Sequence, residues 1–333
     1  MKKFTLLVGF AALVIGLGGC SDDDGDTDAV DTSATSAPAD TDTTTVAQQA
    51  DDVAYVAGTY VQNASDFVDA ADWDNAEEIT VELDSFSFAP ADLTFEAGKP
   101  YIIELVNISD EKHYFTAADF FASAAWRKIE SPQSEIKAPF FTAVEVLAGQ
   151  KVELYLIPTA TMDGSELLCT IEGHADSGML GTITVTGPAP TSPAPVFANI
   201  AGGPWNQAGP DIVDAADWDS AEEVTVELDS FSFAPADLTF ETGQPYIVDL
   251  VNVSDEKHYF VAEDLFPQLA LRKAQDESAE YKAPTLKAVE VLPGMTTELY
   301  LIPTEEGTFN LICTIEGHED EGMTGAITVE TTS

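Results

Sequence analysis

Apolar and polar residues alternate along much of the chain, in short runs that end at turn-forming residues. In the clearest run, residues 80–88, polar and apolar positions alternate as expected for a strand with one buried face. Four further runs, bounded by Gly, Pro, Asp or Asn, read as strands: 100–107, 143–147, 152–157 and 181–185. About seven short strands in about 120 residues predict an all-β fold, an antiparallel sandwich with Greek-key connections.

This strand pattern occurs twice in the chain. Residues 68–159 align without gaps to residues 213–304, and 64 of the 92 aligned positions are identical. The offset of 145 becomes 144 after a one-residue deletion near Thr308. We therefore predict two tandem copies of one domain, at 68–187 and 213–331. The intervening segment, residues 188–212, is rich in proline and is predicted to be a semi-stiff linker.

One segment of each copy departs from the strand pattern. In the first copy, Thr116 is a residue type that caps helices, and the apolar residues Phe120, Phe121 and Ala124 follow it. We predict a helix over residues 116–128. Because the two copies differ most there, we expect it to form a surface flap.

The only paired basic residues of the two copies fall at the end of this segment, at 127–128 and 272–273. At the C-terminal end of a helix they would complement its dipole. A role in docking a partner is the alternative.

The N-terminus has the features of a targeting segment. Lys2 and Lys3 precede an apolar run, residues 4–17, which is too short for a membrane-spanning helix of about 20 residues. The run ends in Leu-Gly-Gly-Cys at residues 17–20, which resembles the lipobox of bacterial lipoproteins. That resemblance implies removal of the signal peptide 1–19 and lipidation of Cys20. A plain secretory signal with an incidental cysteine is the alternative.

Residues 20–67 are predicted to be an acidic, disordered tether behind this lipid. The segment begins with an Asp/Thr/Ser/Ala-rich stretch that contains no Lys or Arg, and it has few residues that could build a core. The lipid anchor would be the only contact with a membrane. We expect a location in the cell envelope, on the outer or the inner membrane, facing the periplasm or the cell surface. Ser21 after the cysteine favours the outer membrane.

Charge and the scarcity of certain residues restrict the function further. The chain carries 59 Asp+Glu against 13 Lys+Arg, for a net charge of −46, which excludes nucleic acid as a partner. Its three cysteines cannot build a disulfide framework. Its four histidines leave little choice about where metal or catalytic chemistry lies.

Each copy contains one constellation of metal-ligating residue types. Near its end it reads C-x4-H-x4-M, and a further histidine lies upstream in the sequence Asp-Glu-Lys-His-Tyr-Phe. A thiolate, two imidazoles and a thioether form the donor set of blue-copper electron-transfer centres. The candidate ligands are His113, Cys169, His174 and Met179 in the first copy, and His258, Cys313, His318 and Met323 in the second.

With these motifs, each copy resembles a cupredoxin, the type 1 blue copper protein fold. Its loop spacing is closest to the rusticyanin and auracyanin type, and it is also similar to plastocyanin, which has a shorter gap between the cysteine and the histidine. The resemblance covers nearly all of both copies. It implies two tandem cupredoxin-like β-sandwich domains and two type 1 copper sites. It also implies that electrons enter or leave through the solvent edge of His174 or His318.

Two features depart from the family and bear on redox tuning. Tyr114 and Tyr259 follow the first histidine, where cupredoxins often have a small polar residue that hydrogen-bonds the thiolate. Glu172 and Glu316 occupy a loop position that often holds proline in the family. A carboxylate there would favour Cu(II). A solvated loop charge without a role is the alternative.

Beyond the two blue sites the chain has no histidine left for a type 2 or trinuclear copper site. We therefore predict that the chain is not an enzyme. We predict an exported, membrane-anchored electron-transfer protein, with a periplasmic or cell-surface copper buffer or chaperone as the alternative. The net charge favours a cationic redox partner, such as a basic cytochrome or a copper oxidase or reductase.

Overall fold

The computed structural model describes residues 54–331. The predicted signal peptide 1–19, the lipidation site Cys20 and the first part of the predicted tether lie outside these residues. Among the helices of the described part, none has both the length and the apolar character needed to cross a membrane.

The first half of the described chain consists mainly of short strands. The strands are β1 (Thr59–Val61), β2 (Glu77–Asp84), β3 (Ser87–Ala89), β4 (Asp92–Glu96), β5 (Tyr101–Asn107), β6 (His113–Phe115), β7 (Ala124–Glu130), β8 (Ser134–Lys137), β9 (Ala143–Val146), β10 (Lys151–Pro158), β11 (Met162–Leu168) and β12 (Leu180–Thr186). The helices are α1 (Ala64–Ala70), the 3-10 helix η1 (Trp73–Asn75) and α2 (Ala118–Ser123).

The second half repeats this order with small changes. Its strands are β13 (Phe197–Asn199), β14 (Glu222–Asp229), β15 (Ser232–Ala234), β16 (Asp237–Glu241), β17 (Tyr246–Asn252), β18 (His258–Phe260), β19 (Leu269–Gln275), β20 (Ala279–Lys282), β21 (Ala288–Val291), β22 (Thr296–Pro303), β23 (Gly307–Ile312) and β24 (Thr324–Glu330). Its helices are α3 (Gly209–Ala215) and the 3-10 helices η2 (Ile200–Gly202), η3 (Trp218–Ser220) and η4 (Phe266–Gln268).

The predicted all-β class is confirmed, and the sheets are mixed rather than purely antiparallel. In each half a large sheet faces a three-stranded sheet, β11-β12-β4 or β16-β24-β23. Strands β2 and β5 run parallel, as do β4 and β12, and the second half has the same two parallel pairs. Apolar side chains from alternate strand positions fill the space between the sheets, as in other sandwiches.

The large sheets do not stop at the boundary between the halves. One sheet has the order β3-β2-β5-β10-β7-β8-β21-β18, and the other has the order β15-β14-β17-β22-β19-β20-β9-β6. Strand β8 of the first half therefore pairs with β21 of the second, and β20 of the second pairs with β9 of the first. Each sheet takes its last two strands from the other half.

The predicted strand at residues 80–88 is a hairpin of β2 and β3. Phe86, at the turn, has a φ of 63°, which is rare for an aromatic residue. Phe231 repeats this conformation in the second half, with a φ of 61°. The turn is thus a shared feature of both halves, and its place beside the candidate metal site is described below.

The predicted helix over residues 116–128 is wrong in extent and in position. Only α2 is helical. Its N-cap residue is Ala117, without a side-chain capping hydrogen bond, so Thr116 is not the cap. Phe120 and Phe121 are fully buried, and the ring of Phe120 stacks on that of Phe95 in the core. The segment is therefore part of the core and not a surface flap.

The basic pair at 127–128 lies on strand β7, so the interpretation as helix C-terminal charges is also wrong. The Arg127 guanidinium stacks over the Trp73 ring, 4.9 Å from its centroid. The Lys128 ammonium lies 2.7 Å from a carboxylate oxygen of Glu135. Arg272 and Lys273 repeat this arrangement on β19. The pairs serve packing and ion pairing near the junction of the halves.

Residues on either side of the first copy also form regular structure. Strand β1 and the start of α1 lie within the segment predicted to be tether, 20–67. Strand β13 lies within the segment predicted to be linker, 188–212, and it pairs antiparallel with β1. Trp205, in the same segment, is buried and packs its ring against Tyr60.

Candidate metal centres

His113 is the first residue of β6, and its side chain is completely buried. The turn before it is held by Asn107, whose amide nitrogen donates to the backbone carbonyls of Glu111 and Val146. The hydroxyl of Ser109 lies 2.8 Å from His113 Nε2. Because this contact holds Nε2, the ring turns Nδ1 toward the other candidate ligands, as hydrogen-bonded metal-ligating histidines commonly do.

Cys169 and His174 lie on the loop between β11 and β12. The Cys169 N–H donates to the carbonyl of Met179, and the Met179 N–H donates to the carbonyl of His174, so the loop closes on itself. Gly173, with a φ of 82°, supplies a left-handed turn that side-chain-bearing residues rarely adopt. Met179 is fully buried at the end of the loop.

These elements bring three ligand atoms together in the first half. His174 Nδ1 lies 3.5 Å from Cys169 Sγ and 3.3 Å from His113 Nδ1. All three atoms lie within 4.8 Å of one another. The backbone N–H of Tyr114 donates to Cys169 Sγ over 3.3 Å. The sulfur therefore already has one hydrogen-bond donor that is fixed by strand β6.

The second half has the same arrangement. His318 Nδ1 lies 3.5 Å from Cys313 Sγ, and the Tyr259 N–H donates to that sulfur over 3.3 Å. The hydroxyl of Ser254 lies 2.8 Å from His258 Nε2. His258 Nδ1 is buried and has no hydrogen-bond partner among the described residues. A buried nitrogen without a partner, aimed at a thiol and a second imidazole, fits a metal ligand.

Burial sets the protonation of both groups. It raises the pKa of the Cys169 and Cys313 thiols above their ordinary value. Burial, and then the facing histidine, lowers the pKa of His113 and of His258. A lowered pKa favours the neutral form of His113 and of His258, which has a lone pair for a metal ion. The thiols need a nearby cation to lose their protons, and a bound metal ion is such a cation.

Two pairs of glutamates are candidates for tuning the sites. Glu172 and Glu316 are exposed loop residues. Sequence reasoning missed the carboxylates nearest the solvent-side histidines. Glu111 lies 3.9 Å from His174 Nε2, and Glu256 lies 3.8 Å from His318 Nε2. Both precede the upstream histidine by two residues in the Asp-Glu-Lys-His motif, and this position in both copies is a signal that could have identified them.

His174 and His318 form the solvent side of the two groups, each less than a tenth exposed. The ring of Phe86 packs edge-on against His174 at 5.1 Å, and Phe231 does the same at His318. The left-handed turn of the β2–β3 hairpin thus places an aromatic ring beside each histidine. Sequence reasoning missed this contact, because nothing in the local pattern marks a phenylalanine for positive φ.

Comparison with known proteins gives likenesses of fold only. No known family model matches the chain, and no curated protein sequence matches it either. Solved structures with a similar fold include a copper-containing nitrite reductase from Thermus scotoductus SA-01, with 12% identity and a TM-score of 0.28 over 77% of this chain and 62% of that one. A multi-copper oxidase from Pediococcus acidilactici has 12% identity and a TM-score of 0.31, over 78% of this chain and 60% of that one. Auracyanin from Roseiflexus castenholzii has 18% identity and a TM-score of 0.25, over 33% of this chain and 98% of that one.

This chain thus spans about 60% of the length of the nitrite reductase and of the oxidase. Its halves are cupredoxin-like β-sandwiches, as predicted. The prediction that the chain is not an enzyme is contradicted, because nitrite reductase and multicopper oxidases are among the structures that it resembles. That prediction counted histidines within one chain, and such a count does not include ligands from a partner subunit.

Proposed function

We propose that each half binds one copper ion in a type 1 centre and that the chain functions in electron transfer. The observation that carries this proposal is the buried His-Cys-His group of each half, whose sulfur accepts a backbone N–H. Two imidazoles, a thiol and a buried thioether nearby are the donor types of blue-copper sites. Bound copper supplies one-electron redox chemistry between Cu(II) and Cu(I).

The residues of the chain keep this site rigid and dry. Ser109 and Ser254 orient the upstream histidines, and the loop hydrogen bonds of Cys169 and Cys313 hold the sulfur-bearing residues in place. A preorganised set of ligands needs little rearrangement when the charge of the site changes by one unit. The solvent edges of His174 and His318 provide the route for an electron.

Visible absorption and copper stoichiometry of the purified chain test the proposal, with Cys169→Ser and Cys313→Ser as variants. We expect an intense thiolate-to-Cu(II) band, two copper ions per chain, and loss of half the band in each variant. Copper bound without that band would contradict the type 1 assignment and would support a copper buffer. Consumption of dioxygen and of nitrite should be measured in the same samples, because oxidases and a nitrite reductase share the fold.

We further propose that the redox partner is cationic. The described residues contain eleven basic side chains, and nine of them line two clefts between the halves: Lys112, Arg127, Lys128, Lys137, Lys257, Arg272, Lys273, Lys282 and Lys287. Outside the clefts the described residues have only two basic side chains, Lys99 and Lys151, so acidic side chains predominate there. We expect the rate of electron exchange with a basic cytochrome to fall as salt rises, and a rate independent of salt would contradict this steering.

We also propose that a lipid on Cys20 tethers the chain to a membrane of the cell envelope. The Leu-Gly-Gly-Cys sequence after an apolar run supports this proposal. Mass spectrometry of the mature N-terminus tests it. A diacylated Cys20 is the expected result, and an unmodified N-terminus at another residue would contradict it.

A further inference from the structure

The tyrosine beside each metal centre extends its side chain into the other half of the molecule. The Tyr114 hydroxyl donates to the Glu280 carboxylate over 2.5 Å, and the Tyr259 hydroxyl donates to Glu135 over the same distance. Tyr114 and Glu135 belong to the first half, and Tyr259 and Glu280 belong to the second. The two contacts are thus reciprocal. In the sequence these tyrosines are distinctive only as departures from the family pattern.

Strand pairing explains why the contacts form. Tyr114 on β6 lies opposite Glu145 on β9, and Glu145 lies opposite Glu280 on β20. The three residues form one row across three paired strands, the last of which comes from the second half. Side chains in such a row project from the same face of the sheet. The second sheet repeats the row with Tyr259, Glu290 and Glu135.

Both carboxylates are held in place by lysines of their own half. Glu280 is buried and lies 2.6 Å from the Lys273 ammonium and 3.3 Å from that of Lys282. The Lys282 ammonium also lies over the Tyr114 ring, 4.7 Å from its centroid.

In the other contact, Glu135 lies 2.7 Å from the Lys128 ammonium and 3.0 Å from that of Lys137. Lys137 lies over the Tyr259 ring at 4.6 Å. Each tyrosine is therefore fixed at its hydroxyl and at its ring face by the other half, and hydrogen bonds to ionised groups are the stronger kind.

We propose that Glu280 is a positioning residue for the metal centre of the first half, and that Glu135 is one for the centre of the second. Glu280 acts through Tyr114, whose hydroxyl it binds and whose backbone N–H donates to Cys169 Sγ. Glu135 acts through Tyr259 on Cys313 in the same way. This inference rests on the proposed function, since it concerns the properties of the copper-bound thiolate.

The direction of the effect follows from the charge on the sulfur. Hydrogen bonds around a copper-bound cysteine sulfur tune the reduction potential of the site. The reduced site carries more negative charge, so an N–H donor stabilises it more than the oxidised site. Without the hydrogen bond from its hydroxyl to the glutamate, the tyrosine holds its backbone N–H less firmly against the sulfur. The potential of that site should then become more negative, and the thiolate band should shift.

Proteins that keep the cysteine of only one site make the test specific to that site. In full-length Cys313→Ser, only the first site has its thiol, and Glu280→Ala is compared with Glu135→Ala. We expect Glu280→Ala to shift the potential and the band of the first site and to weaken its copper affinity about 10-fold, the lower end for residues that orient ligands. Glu135→Ala, which breaks the mirror-image contact, should leave that site unchanged. In Cys169→Ser the two results should exchange.

A further pair of variants shows whether the tyrosine transmits the effect. Tyr114→Phe should reproduce the shift caused by Glu280→Ala, and the double variant should add nothing further. Thermal unfolding of the metal-free variants separates folding defects from effects on the site.

Equal shifts from both glutamates at one site would mean general loosening of the junction and would overturn the proposal. Unchanged spectra, potentials and affinities would also overturn it. Absence of the thiolate band in the starting protein would instead refute the proposed function.

Discussion

The two candidate metal centres are almost identical in their buried contacts and differ in the exposed residues around them. The contacts of the sulfur with the histidine and with the backbone N–H have equal lengths in both halves. The loop around the solvent-side histidine differs. Ala175 and Ser177 of the first half correspond to Glu319 and Glu321 of the second, and the exposed Leu180 corresponds to Thr324.

The two halves thus share the ligand geometry and differ in the rim, by which we mean the exposed residues of the loop around the solvent-side histidine. Internal contacts are constrained by burial, whereas exposed positions change at little cost to stability. The exposed Phe86 and Ile108 have equally exposed counterparts in the second half, Phe231 and Val253. The second loop differs in its two additional glutamates and in having Thr324 in place of Leu180. If both halves bind copper as proposed, we therefore expect a difference between their reduction potentials to arise from these exposed residues and not from the ligands.

The junction between the halves also breaks the symmetry, and there we expect the largest effect. Asp276 is buried and accepts hydrogen bonds from Ser131, Ser134 and Tyr281, and from the backbone N–H groups of residues 278 and 279. The equivalent position in the first half is Ser131. Asp276→Ala should lower the free energy of unfolding by about 3–4 kcal/mol, because it leaves several buried donors without an acceptor.

Urea unfolding of the metal-free protein measures this effect. Ser131→Ala is the comparison variant and should cost less, about 1–2 kcal/mol, because Asp276 keeps its other donors while two backbone N–H groups, of Gln133 and Ser134, lose their acceptor. Similar small losses in both variants would show that the Asp276 cluster does not hold the junction together.

Acid should weaken the reciprocal contacts between the halves. Burial raises the pKa of Glu135, but hydrogen bonds from Lys128 and Tyr259 and the charge of Lys137 outweigh it and lower the pKa from 4.5 to about 2. The pKa of Glu280 is also lowered, against the effect of burial, by Lys273, Tyr114 and Lys282. A carboxyl whose pKa is lower in the folded than in the unfolded protein stabilises the fold at pH values above its unfolded-state pKa. That stabilisation is lost as the pH falls toward the folded-state pKa.

We therefore expect Glu135→Gln to reduce the dependence of unfolding free energy on pH between about 4.5 and 2, by at most about 3 kcal/mol. Chemical unfolding at several pH values checks this prediction. Glu104→Gln, which removes the partner of Lys151 at an exposed ion pair, is the control. An identical pH dependence in wild type and Glu135→Gln would refute the prediction.

Replacing the two additional glutamates near His318 with the residues of the first half should reduce the difference between the reduction potentials of the two centres. In Glu319→Ala/Glu321→Ser the second centre acquires the residues of the first. At about 10 Å in water each lost charge changes the potential by about 0.4 kcal/mol, or about 20 mV, so the second centre should become more positive by about 40 mV. Voltammetry of the Cys169→Ser background measures it. A potential that does not move would show that the rim does not tune the site.

We expect the smallest change in reduction potential at the glutamate that both loops have at the same position, Glu172 or Glu316. Glu172→Gln should raise the potential of the first centre by about 20 mV, because the carboxylate is exposed and screened by water. Glu316→Gln should do the same at the second centre. No change in either variant, measured at low salt, would leave the carboxylate as a solvated loop charge without a tuning role.

The sequence predicted many of the strands, because alternation is a local signal. The C-x4-H-x4-M motif and the resemblance to cupredoxins pointed to the histidines and cysteines whose ligand atoms lie together in each half. The sequence did not predict the exchange of β8 and β9 for β20 and β21. Those strands read as ordinary short strands, and no local pattern states which edge they join. The helix prediction failed for a related reason, since Phe120 and Phe121 pack inward and the chain continues as strand β7. The Tyr114–Glu280 contact depends on the exchange of strands and therefore could not be predicted from the sequence.

The exchange of strands has a consequence for the newly made chain. Strands β8 and β9 end at residue 146, but their partners β20 and β21 end only at Val291. Until those partners are in place, the first half has two sheet edges that can pair with other strands. The first half therefore cannot complete its sheets before the second half has been added, and a chain that stops short of β21 is exposed to mispairing.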